Sequence, residues 1–95
     1  MREIEIILDR PRKLRFRIGD LQEFSLAMDH RPIAEIMSRA FMIDPSFIVL
    51  GLFYGLRHED GKITLNKVKN FVDAYVESDK GTYADLTSLL IDAMN

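Results

Sequence analysis

The chain has 95 residues, no cysteine and a formal charge of −2, with 47% hydrophobic and 29% charged residues. This length implies one domain that buries roughly 60–65% of its unfolded surface and gains stability from association. The composition excludes a disordered chain, and the missing cysteines exclude disulfide scaffolds, thiolate metal sites and cysteine nucleophiles. Charge is uneven along the chain: residues 1–20 hold six Arg/Lys against four Asp/Glu, and the rest seven against eleven. This falls short of the basic footprint of a nucleic-acid binder. The longest uncharged run is too short for a bilayer, and the acidic start at Glu3 and Glu5 does not read as a signal peptide, so a soluble intracellular protein is expected.

Residues 1–18 read as a β-hairpin. Ile4, Ile6 and Leu8 alternate on one strand, and Leu14, Phe16 and Ile18 on the next. The Asp9–Lys13 stretch, with its proline, supplies the turn. Pairing Ile4 with Ile18, Ile6 with Phe16 and Leu8 with Leu14 puts all six on one face and Glu5 opposite Arg17 on the other. Such a hairpin is marginal alone and must cover helices.

Helical patterning follows. Asp20 and Glu23 form an expected capping box, with Leu21, Phe24 and Met28 on one stripe. Pro32 suits the first turn of a second helix, with Ile33, Ile36, Met37, Ala40 and Phe41 inward. Asp44-Pro45 is the strongest start signal. It opens a helix in which the ten residues Phe47–Leu56 carry no charge, either a central buried helix or a surface reserved for another subunit. Gly61 breaks the chain and Thr64 caps the next helix, with Leu65, Val68, Phe71, Val72, Tyr75 and Val76 at 3.6-residue period. Gly81 stops it. Thr82 begins a last helix with Leu86, Leu89, Leu90 and Ala93 inward. The expected fold is α+β, one domain over residues 1–95, with a hairpin in 1–19 and about five short helices in 20–95.

Chemistry-bearing constellations are few. Arg10, Arg12, Lys13, Arg15 and Arg17 form the one charge cluster, a candidate basic patch for phosphates or an acidic partner. The plainer reading is a solvated strand face and turn, neutralised in part by Glu3, Glu5 and Asp9. Gly51 and Gly55, four apart on the apolar helix, permit close helix packing, within the fold or between subunits. The Asp60-Gly61 loop is superficially like a calcium loop, but Leu56 and Lys67 fall at its first and last ligand positions, which rejects calcium. His30 and His58 lack partners at ligand spacing, and His30 falls near a helix C-terminus. The serines lack an elbow or phosphate-loop motif. No catalytic residue, metal or cofactor is expected. The methionines fall mostly at core spacing.

The order of parts resembles the small tail assembly chaperones of siphophages and gene transfer agents. The residues carrying it are Lys13-Leu14-Arg15-Phe16-Arg17-Ile18-Gly19-Asp20-Leu21, then Tyr54-Gly55-Leu56-Arg57-His58-Glu59-Asp60, then Ile63-Thr64-Leu65-Asn66-Lys67-Val68. Asn66 and Lys67 stand where the family often has an acidic residue in the first turn after its Thr, and the helix after Asp20 is less acidic than the family pattern.

The resemblance implies a non-enzymatic chaperone that coats the tape measure protein in the host cytoplasm during tail assembly and self-associates. The expected partner or self-association surface comprises Phe16, Ile18, Phe47, Leu50, Gly51, Phe53, Tyr54 and Gly55. Two other readings stay open. One is a small nucleic-acid-binding regulator using the basic turn, against which the −2 charge weighs; the other is a minor structural tail or connector protein.

Overall fold

The computed structural model describes residues 3–40 and 43–95. Its order is β1 (Ile4–Ile7), β2 (Pro11–Leu14), α1 (Ile18–Ala27), α2 (Ile33–Ala40), α3 (Pro45–Leu56), α4 (Leu65–Glu77) and α5 (Tyr83–Met94). The fold is α+β, an antiparallel hairpin followed by five helices.

The apolar helix is the hub. α3 packs against α1, α4, α5 and β2, and its Phe47, Ile48, Gly51, Leu52, Gly55 and Leu56 are buried. Its start forms as expected, with the Asp44 side chain accepting from the Ser46 N–H and Pro45 in the first turn. The two glycines admit neighbours that a side chain would displace. A Cβ on Gly55 would stand 2.8 Å from Phe16 Cζ and 2.9 Å from Leu14 Cδ2, and one on Gly51 3.1 Å from both Leu90 Cδ atoms. Gly55 therefore seats the hairpin and Gly51 seats α5.

The hairpin departs from its expected register. Ile4 pairs with Leu14, Glu5 with Lys13, Ile6 with Arg12 and Ile7 with Pro11, so Ile18 and Phe16 lie beyond the ladder and Glu5 does not face Arg17. The shift is four residues, an even number, so Ile4, Ile6, Leu8, Leu14 and Phe16 stay on the covered face, while Ile18 leaves the strand for α1 and is exposed. Alternation along the strands is blind to such a shift. The inward set is Ile6, Leu8, Leu14 and Phe16, joined by Arg12.

α1 also begins earlier than expected. Ile18 is its first residue, Arg17 is the N-cap in extended conformation, and Asp20 sits in the first turn, its carboxylate accepting from the Arg17 N–H at 3.0 Å. Asp20 is thus the reaching-back member of the cap, not the cap itself. Glu23 instead pairs with Arg57.

On α2, Ile36 is buried and Ile33 and Met37 pack against the core, while Phe41 and the side chain of Ala40 lie outside the described residues, as do Met1 and Met42.

Thr64 and Thr82 cap α4 and α5, accepting from the Lys67 and Asp85 amides. α4 ends at Glu77 with Ser78 as its C-cap, before Gly81. Asp79, at φ 56°, takes the left-handed position, with Lys80 N–H on Tyr75 O and Asp79 N–H on Val76 O, a Schellman closure. Gly81 is required for another reason: a Cβ there would lie 2.6 Å from the Tyr75 hydroxyl.

Candidate functional site

The expected basic patch does not assemble. Arg12 is 3% exposed; its Nε and Nη2 donate to the two Asp9 carboxylate oxygens at 2.7 and 2.9 Å, and its Nη1 lies 3.5 Å from Asp60 and 3.8 Å from Glu59. Its guanidinium also stacks 4.9 Å over the Phe71 ring. Asp9 is held below its ordinary carboxylate value, first by the hydrogen bond from Arg12, against the opposing effect of burial. Arg10 pairs with Glu59 at 3.0 Å. Arg12 points inward because it falls on the even-numbered, core-facing side of β2.

The turn that superficially resembled a calcium loop acts as a clamp for the hairpin. His58 Nε2 lies 2.8 Å from Lys13 O, Glu59 accepts from the Lys13 N–H, and Glu59 and Asp60 face Arg10 and Arg12. Upstream, Arg15 N–H donates to Gly55 O at 3.0 Å, and Arg57 binds Asp20 Oδ1 through Nε and Nη2. Arg57 also rests 5.0 Å over the Tyr54 ring. Burial acts against its charge, but the carboxylates of Asp20 and Glu23 outweigh this and raise its pKa. The stretches 13–21 and 54–60 therefore meet in space and lock to one another.

The expected interaction surface is mostly interior. Phe16 and Phe47 are core residues, and Gly51 and Gly55 are covered by Leu90 and by Phe16. Phe53 and Tyr54 are half-buried, and Tyr54 makes edge contacts with Phe24 and Phe53. Only Ile18, at 78%, is widely exposed, on the first turn of α1. The apolar helix is central because a chain this short has no other segment able to fill its middle.

The open apolar surface lies elsewhere, along α4. A cleft of about 340 Å³ is bounded by Ile43, Pro45 and Val49 beside α3, by Val72 on α4 and by Tyr83 on α5. It runs on into a second depression between Pro45, Val49, Leu50 and Leu65, with Lys69 common to both. From Leu65 to Asp73 the groove follows two turns of α4, about 12 Å at 1.5 Å per residue. Lys69 and Asp73 are its charged members.

Leu65 and Tyr83 have a shared position. Each is the first residue of its helix and lies three residues before a buried one, Val68 and Leu86. Periodicity assigns Leu65 to the core, as expected above, yet it is 41% exposed and Tyr83 43%. Among the described residues both keep this exposure at their helix starts. Ile43, also 44% exposed, holds φ 57°, a conformation that costs a β-branched residue on the order of 1–3 kcal/mol. Apart from Leu50, the groove residues were not among those expected to form a surface. The usable signal was large apolar residues beside helix caps, at Ile43-Asp44, Thr64-Leu65 and Thr82-Tyr83.

Among the described residues no cluster of His, Asp and Glu could hold a metal ion, and no helix is long and apolar enough to cross a membrane. Comparison with known protein families, with curated proteins and with solved structures finds no match.

Proposed function

We propose that this protein is a non-enzymatic tail assembly chaperone whose α3–α4 groove covers an apolar helical stripe of the tape measure protein, in the host cytoplasm. The observation that carries the reading is the pair Leu65 and Tyr83, which lie on core-facing stripes but stay exposed among the described residues. An amphipathic helix laid along α4 would complete both stripes, two turns of it matching the groove. Lys69 at mid-groove selects a carboxylate at the edge of that stripe. The resemblance in residues 13–21, 54–60 and 63–68 supplies the identity of the partner.

A groove two helical turns long offers a small contact, so single contacts would be weak. Many copies along one long helical protein bind through avidity. Co-expression with the cognate tape measure protein tests the reading. It should raise the soluble yield of that protein and the two should co-purify; an unchanged yield without co-purification would overturn it.

A further inference from the structure

A second cleft lies where the β2–α1 connection passes the C-terminus of α3. The backbone at Arg17 is extended, so successive side chains alternate, with Phe16 turned into the core and Arg15 and Arg17 turned out together. Both line a cleft of about 410 Å³ with Arg57, His58, Asp20 and Gly61. Arg57 is already neutralised by Asp20 and Glu23. Among the described residues Arg15 and Arg17 have no ion pair, and Arg15 Nε is buried without a hydrogen-bond partner. Arg12 Nη1 is likewise buried without a hydrogen-bond partner, so the cleft is singled out by Arg15 and Arg17 lining it together with neither charge paired among the described residues. The first turn of α1 adjoins the cleft. A Cβ at Gly19 would meet nothing within 4 Å, and neither would one at Gly61, so a ligand can approach both backbones.

We propose that this cleft binds the side-chain carboxylate of an acidic partner polypeptide, held by Arg15 and Arg17, with an apolar neighbour in that partner packing on Ile18. One pocket with two free guanidiniums takes one oxyanion, whereas a nucleic acid requires a track of them on a basic surface, which Arg12 and Arg10 do not supply. The exposed Ile18 beside it favours a polypeptide over a free anion. The site shares no residue with the groove on α4 and does not depend on the tape measure reading.

The test is an NMR titration of the whole chain with the peptide acetyl-Leu-Glu-Leu-Glu-amide and its glutamine counterpart, observing backbone amides and arginine Nε–H groups. Saturable shifts are expected at Arg15 Nε–H, Ile18 and Gly19, with binding about tenfold weaker for the glutamine peptide and for Arg15→Gln or Arg17→Gln. Arg17 is exposed, so its variant keeps the fold should Arg15→Gln lose it. Equal binding of both peptides, or shifts spread evenly over Arg10, Arg31 and the lysines, would overturn the proposal. So would tighter binding of inorganic phosphate or of a DNA duplex at these arginines.

Discussion

Replacing Arg12 by methionine keeps much of its apolar stem and removes its charge, leaving Asp9 without its bidentate partner and Asp60 without its facing cation, while Glu59 keeps Arg10. Breaking a fully buried pair by removing one partner costs about 3–5 kcal/mol. Here the three carboxylate side chains keep 43%, 23% and 20% of their surface in water, which reduces the penalty. Losing the stacking on Phe71 adds about 0.5–1 kcal/mol. The expected loss is about 2–3 kcal/mol, a large part of the roughly 5–14 kcal/mol available to a chain of this length. In melting temperature that is about 10–20 °C. Arg10→Met is the control: its side chain is 52% exposed and pairs with Glu59 at the surface, so the loss should stay under about 0.5 kcal/mol. Arg12→Lys keeps the charge without the fork and should fall between. Urea unfolding followed by far-ultraviolet circular dichroism measures all three. Equal midpoints for Arg12→Met and Arg10→Met would refute the assignment of Arg12 as the buried tie between hairpin and the 58–61 turn.

The same contact sets an acid limit. Because Asp9 titrates below its ordinary value of 3.8, its stabilisation is complete above that pH and is lost as pH falls through the lower folded value; the urea midpoint of Arg12→Met should lack this acid dependence. Tyr75 behaves in the opposite sense. Burial, and then the Asp85 charge, raise its pKa above 10.0, so stability should decline as pH rises past that value in urea titrations at alkaline pH. Gly55→Ala forces a Cβ against Phe16 and Leu14 and should cost about 1–3 kcal/mol beyond the roughly 1 kcal/mol gained in helix propensity. Gly51→Ala meets only the far ends of Leu90 and Met94, so its melting temperature should stay near wild type; equal losses at the two glycines would contradict the packing described.

Much of the fold is legible in the residues. Asp44-Pro45, Thr64 and Thr82 mark three helix starts through local hydrogen bonding, which needs no knowledge of tertiary contacts. The charge-free run of α3 names the middle of the molecule for the same reason, since it can be stable only when covered. The hairpin register is not legible, because two registers four residues apart both place Ile6, Leu8, Leu14 and Phe16 on one face. Nor is the fate of Arg12, whose inward direction is compensated first by the neighbouring Asp9 and then by Asp60, 48 residues further along the chain. The groove escapes the pattern for a related reason. Periodicity shows which stripe Leu65 occupies, but whether another element reaches that end of the stripe is a tertiary fact.

Pull-down of the cognate tape measure protein by the double variant Leu65→Glu, Tyr83→Glu tests the groove most directly. Both substitutions place a carboxylate at the first position of a helix, where it is favourable by about 0.3–1 kcal/mol and offsets part of the apolar burial lost, so the variant should stay folded with a modestly lower melting temperature. Loss of the tape measure protein from a fully folded variant is the expected result. Undiminished capture by that variant would contradict a groove on α4 as the site of binding.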